Sequence, residues 1–100
     1  TMQAFGAIVH LIDGGMERAR DYAAEQVAET AGRPDAFLML NQFGNPDNPL
    51  AHYRTTGPEV WRDTMGQVTH FVSAMGTTGT IMGTSRYLKE QDPRVQIVGC

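Results

Sequence analysis

Cysteine is almost missing from this chain: Cys100 is the single one. That excludes an internal disulfide and suits a reducing compartment. A dominant charge is missing too. Eight Lys and Arg stand against eleven Asp and Glu, for a net charge of −3. No basic face is available to neutralise nucleic-acid phosphates or an anionic membrane surface. The longest purely apolar run, residues 36–40, falls far short of the roughly 20 residues that cross a bilayer. No charged, apolar leader opens the chain, so a cytoplasmic protein is expected. His10, His52 and His70 are scattered, with no paired cysteines or His-x-x-x-His helix, and no metal site is expected. Ser73 and Ser85 lack the Gly-x-Ser-x-Gly elbow of serine hydrolases. Lysine is represented once, by Lys89.

Glycine and threonine are concentrated at one place. Met75-Gly76-Thr77-Thr78-Gly79-Thr80 follows the apolar Phe71-Val72-Ser73-Ala74 and precedes a helix-like segment reaching Lys89. A strand, a turn of small residues and a helix start make an anion cradle. The small residues let backbone amides approach closely, and the helix contributes unpaired N–H groups and the positive end of its dipole. Thr hydroxyls add donors. The spelling excludes two common phosphate readers. Gly79 is followed by Thr80-Ile81-Met82, without the lysine of a P-loop, and Gly76-x-x-Gly79-x-x-x-Gly83 is not the dinucleotide fingerprint. What remains is a seat for one terminal phosphate, as on pyridoxal phosphate, a sugar phosphate or flavin mononucleotide. A turn that merely caps a helix and binds nothing stays open as the alternative.

The rest of the chain alternates. Residues 7–12 read as a buried strand that packs His10, and residues 16–31 as a helix with Ala19, Ala23, Val27 and Ala31 on one stripe. Gly32 and Pro34 end that helix. Residues 36–40 read as a second strand. Residues 44–54, stiffened by two Asn-Pro pairs, read as a long non-helical loop. Thr56-Gly57-Pro58-Glu59 spells a capping box, opening a short helix whose buried side is marked by Trp61 and Met65. Residues 68–75 form a third strand. In the next helix Gly79, Gly83 and Tyr87 share a side; each glycine costs about 1 kcal/mol of helix propensity, which implies close approach to the sheet. Asp92-Pro93 stops the helix and residues 94–100 form a fourth strand, with Cys100 as a small core residue. Such alternation means an α/β fold with a mainly parallel sheet and right-handed crossovers. Ligands of such sheets sit at strand carboxyl ends, where Gln42-Phe43 and the 76–80 turn both fall. Residues 1–5 read as the tail of a helix and residues 94–100 as a core strand, so a fragment of a longer protein is expected.

Three strings carry a resemblance: Asn41-Gln42-Phe43-Gly44-Asn45-Pro46-Asp47-Asn48-Pro49, His52-Tyr53-Arg54-Thr55-Thr56-Gly57-Pro58-Glu59-Val60-Trp61, and the phosphate turn. In this order, across essentially the whole chain, they resemble the cysteine synthases, pyridoxal-phosphate enzymes of the fold-type II group. Ser73-Ala74-Met75-Gly76-Thr77-Thr78-Gly79-Thr80 looks like the B-type branch. The resemblance implies a Rossmann-like three-layer α/β architecture, with residues 1–46 ending the smaller, mobile domain and residues 47–100 starting the larger, cofactor-binding one. It implies that Gly76, Thr77, Thr78, Gly79 and Thr80 bind the 5′-phosphate of pyridoxal phosphate. Gln42 and Phe43 would hold the substrate, and Thr56 to Trp61 would be structural.

The implied activity is a transferase reaction, β-replacement of O-acetylserine by sulfide, or by thiosulfate in the B branch, to give cysteine. A homodimer is implied for the full-length protein, while docking of a serine acetyltransferase is left open. Such enzymes hold the cofactor on a lysine. Lys89 lies about ten residues along the helix, roughly 15 Å from its start, too far for that role. No catalytic residue is therefore assigned within the chain: the reactive lysine precedes this region in the family, and the isolated chain is expected to be inactive. A cystathionine β-synthase-type relative and a non-catalytic phosphate-binding paralogue are the competing readings.

Overall fold

The computed structural model describes residues 1–100, and its packing separates two units, Thr1–Leu40 and Asn41–Cys100.

In the first unit, Met2–Phe5 forms a 3-10 turn closed by Gly6 at φ 87°. Helix α1 spans Met16–Thr30, with Glu17 in its first turn, where a carboxylate favours the dipole. Tyr22, Ala23, Gln26 and Val27 are half-buried, so the stripe read from the sequence is present around Ala23 and Val27. Ala19 is exposed and Ala31 lies just past the helix. Thr30 organises the exit. Its hydroxyl donates to the Gln26 carbonyl at 2.8 Å and accepts from the Phe37 amide at 3.0 Å, tying helix end to following segment.

The two expected strands of this unit, 7–12 and 36–40, do not form. A strand is made by a ladder with a neighbour, and these segments have none: Ile8 is 87% and Leu11 93% exposed, while Val9, Ile12 and Met39 are only half-buried. His10 is likewise exposed, its ring 5.9 Å from that of Tyr22, rather than packed in a core.

The second unit contains α2 (Asp47–Arg54), α3 (Thr56–Asp63), β1 (His70–Ser73), α4 (Gly79–Gln91) and β2 (Gln96–Gly99). Strands β1 and β2 pair in parallel, His70 opposite Gln96 through Ser73 opposite Gly99, with α4 as the crossover between them. Pairing continues past the strand ends through the Met75 amide to the Cys100 carbonyl (2.8 Å) and the Cys100 amide to the Ser73 carbonyl (3.0 Å). Cys100 itself is exposed, not a core residue. Leu88 on α4 and Val95 before β2 are the fully buried apolar side chains, each worth about 1.5–3 kcal/mol of removed surface.

Several local expectations change here. Residues 47–54 are helical: Pro46 and Asp47 suit the first positions of a helix, and Pro49 falls within the first turn, where no amide donor is missed. The capping box does not form. Thr55 is the residue before α3, and the Thr56 hydroxyl pairs with His52 Nδ1 at 2.8 Å instead. Met65 lies beyond α3 and is 81% exposed. The glycines of α4 face α2 rather than the sheet. A Cβ at Gly83 would stand 2.0 Å from the Pro49 carbonyl oxygen, and one at Gly79 2.0 Å from Asn48 Oδ1. Their cost in helix propensity is therefore the condition for two helices to meet backbone to backbone.

Candidate functional site

The turn after β1 holds one residue in the left-handed region. Thr78 precedes α4 with φ 66°, ψ 0°. A β-branched residue in this left-handed region costs on the order of 1–3 kcal/mol, a cost that clusters at ligand clamps. Left-handed residues in such turns aim successive amides toward a common point.

The hydrogen-bond inventory is more telling. The amide before the turn, Met75, is spent on the Cys100 carbonyl, and the one after it, Met82, on the Thr78 carbonyl at 2.9 Å. Between them, the amides of Gly76, Thr77, Thr78, Gly79, Thr80 and Ile81 donate to no protein acceptor. Gly79, Thr80 and Ile81 open α4 and cannot bond within it. Space for a ligand exists: a Cβ added at Gly76 would meet nothing within 4 Å.

The three threonine side chains are each engaged, with different consequences. Asn48 Nδ2 donates to Thr77 Oγ1 at 2.9 Å, so the Thr77 hydroxyl acts as an acceptor there and keeps its own proton for another partner. Thr78 Oγ1 lies 3.2 Å from Met82 Sδ, a weak acceptor that a charged oxygen would displace. Thr80 Oγ1 is 3.3 Å from His52 Nε2, whose Nδ1 is 2.8 Å from Thr56 Oγ1. This chain links the turn to α2 and α3.

Of the two residues expected to meet substrate, Gln42 comes to the turn through its backbone. Its carbonyl accepts from the same Asn48 Nδ2 at 2.8 Å, while its side-chain amide makes no hydrogen bond to the protein. Phe43 is 62% exposed. Lys89 is in the last turn of α4 and donates to the Pro93 carbonyl at 3.0 Å, a helix-end role. Asn48 and His52 are the site-building residues that sequence reasoning did not single out. Their signal was available: both sit in the string 41–54, spaced four apart on one helical face, but a loop reading hid that face.

This donor set fits a phosphate dianion. It offers main-chain amides, hydroxyls and a helix start, and it holds no carboxylate.

Comparison with known proteins agrees with that chemistry. The sequence profile of the pyridoxal-phosphate dependent enzymes matches residues 1–100. Cysteine synthase B of Pseudomonas aeruginosa is 58% identical over 100 residues, covering 98% of this chain and 32% of that protein. Among solved structures, a cysteine synthase from Entamoeba histolytica superposes with a TM-score of 0.87 at 41% identity, covering 98% of this chain and 28% of that one. An O-acetylserine dependent cystathionine β-synthase from Helicobacter pylori gives 0.75 at 36% identity, covering 98% and 31%. The chain spans about a third of the length of these relatives.

Proposed function

The chain belongs to the pyridoxal-phosphate dependent enzymes, and from that premise we propose that it supplies the phosphate seat and part of the substrate pocket of a cysteine synthase. Gly76, Thr77, Thr78, Gly79 and Thr80 receive the cofactor's 5′-phosphate. The observation that carries this reading is the run of six amides, residues 76–81, with no protein acceptor at the start of α4. A charge-assisted hydrogen bond is roughly twice as strong as a neutral one, so several amides donating to one dianion would hold it without a lysine. When bound, the cofactor supplies the electron sink for chemistry at the substrate's α- and β-carbons. The residues of this chain bind and orient.

Gln42 directs its free side-chain amide to the substrate carboxylate, and Phe43 supplies an apolar wall. The full-length protein replaces the β-acetoxy group of O-acetylserine with sulfide, acetate leaving and cysteine forming; thiosulfate, as a further nucleophile, would displace acetate to give S-sulfocysteine. In it, residues 1–46 belong to a smaller, mobile domain and residues 47–100 to the larger one, and the protein acts as a cytoplasmic homodimer. The covalent attachment point for the cofactor lies outside residues 1–100. Accordingly, Lys89 stays an exposed helix-end cation and the isolated chain is inactive.

Two experiments test this. Full-length protein assayed with O-acetylserine and sulfide is expected to form cysteine; absence of product with retained cofactor would contradict the assignment. Borohydride trapping with peptide mapping is expected to leave Lys89 unlabelled, and stoichiometric, saturable label on Lys89 would overturn it. The likeness to the Helicobacter pylori enzyme favours a second reading, a cystathionine β-synthase-type acceptor. A competition of sulfide against homocysteine separates the two by product.

A further inference from the structure

One side chain joins the two halves of the proposed site. Asn48 Nδ2 carries two hydrogens, and both are committed: one to the Gln42 carbonyl at 2.8 Å, the other to the Thr77 hydroxyl at 2.9 Å. The carboxamide occupies the space over Gly79, where a Cβ would stand 2.0 Å from its Oδ1, so glycine at that position leaves it room. The acceptor role it imposes on Thr77 leaves that hydroxyl's proton pointing elsewhere. An anion that takes the proton makes the oxygen a better acceptor, and so strengthens the bond from Asn48.

We propose that Asn48 is a positioning residue that couples the phosphate seat to the substrate seat. Phosphate at the turn fixes Thr77, Thr77 fixes Asn48, and Asn48 holds the backbone of Gln42 so that its free side chain meets the substrate carboxylate. This rests on the reading of residues 76–80 as the phosphate seat. Coupling of this kind is reciprocal in binding free energy, so a change on the phosphate side must be felt on the substrate side. A residue that served only to pack α2 on α4 would change stability without that cross-talk.

The test uses the full-length protein, with and without pyridoxal phosphate, and the substitutions Asn48→Ala, Asn48→Asp, Thr77→Val and Thr77→Ser. Asn48→Asp preserves volume but removes both donors, which covers the case in which Asn48→Ala fails to fold. Hydrogen exchange at the amides of Gln42 and Phe43 is read first. Loading wild-type protein is expected to slow it at least fivefold. Thr77→Ser should keep that slowing, while Asn48→Ala, Asn48→Asp and Thr77→Val lose it.

The KM for O-acetylserine, at saturating cofactor, is read second. Thr77→Val, which removes a hydroxyl on the phosphate side, is expected to raise it five- to tenfold. The double variant should be no worse than the worse single one. Undiminished slowing in the Asn48 variants, or single-variant effects on KM that multiply, would overturn the coupling while leaving the phosphate seat intact. If loading leaves exchange at residues 76–81 unchanged in wild-type protein, the phosphate reading itself falls, and the coupling with it.

Discussion

Apolar runs predict strands alternating with helices in both units of this chain, yet only the second forms a sheet. In the second unit, β1, α4 and β2 close a βαβ motif on themselves, and Leu88 and Val95 are buried by it. In the first, α1 is formed, while most apolar residues of 7–12 and 36–40 stay open to solvent, Leu38 at 82% among them. The difference teaches which kind of structure a short segment can encode alone. A helix satisfies its backbone internally; a strand needs a neighbour, and its apolar face needs a cover. The anion turn belongs to the unit where the strand finds its neighbour, although one face of that sheet stays open, with Val72 62% exposed, and it follows β1 directly to place the left-handed Thr78 before α4.

The sharpest way to break that comparison is to overfill the α2–α4 contact. Gly83→Ala pushes a methyl group toward the Pro49 carbonyl and is expected to cost about 3 kcal/mol or more in urea unfolding of the 100-residue chain. Leu38→Ala in the first unit is expected to cost under about 0.5 kcal/mol, as exposed substitutions do. Comparable losses would contradict the division.

Thr78→Gly sharpens the point at the turn. Releasing the left-handed strain should stabilise the fold by about 1 kcal/mol. Losing the hydroxyl should weaken cofactor retention by the full-length protein, about tenfold for a charge-assisted hydrogen bond, as followed by dialysis.

A gain in stability of similar size, without any effect on the cofactor, comes from Thr84, which is fully buried in α4 with a hydroxyl that finds no partner. Replacement by the isosteric Val should raise stability by about 1 kcal/mol, read as a shift in the urea midpoint.

The smallest effect is a dependence on pH. Hydrogen bonds from the Arg94 guanidinium, at 3.0 and 2.9 Å, and from its amide, at 2.9 Å, hold the Asp92 carboxyl below its usual range. A depressed carboxyl pKa contributes stability above the unfolded-state value, and that stability is lost as pH falls through the folded value. Thermal melts on the acid side of the carboxylate range should therefore converge for wild type and Arg94→Ala, and separate slightly at neutral pH. Equal melts at neutral pH would remove the contribution.

The candidate anion turn was legible from residue types. Gly76 to Thr80 could be recognised because an anion turn needs small residues and hydroxyls in one short stretch, and the structure leaves those amides without protein acceptors. Helix α4 was legible from its stop at Asp92-Pro93. What escaped depended on partners distant in sequence. Residues 47–54 looked like a loop because two Asn-Pro pairs masked a helix start, and with that helix went Asn48 and His52. Thr56 fitted a capping box, but His52, one helical turn earlier, claimed its hydroxyl. Gly79 and Gly83 announced a close approach without saying to what, and the answer, α2, followed from the helix that had been missed. The strands at 7–12 and 36–40 were read from apolar runs alone, and a run does not supply its own neighbours.

The central claim is that the amides of residues 76–81 hold a phosphate dianion, and NMR of the full-length protein tests it directly. Loaded with pyridoxal phosphate, the protein should show a phosphorus resonance that does not titrate near pH 6, where a free phosphate monoester loses its second proton, together with amide shift changes centred on Gly76 to Ile81. A resonance that titrates as in free solution, or amide changes that bypass the turn, would contradict the account.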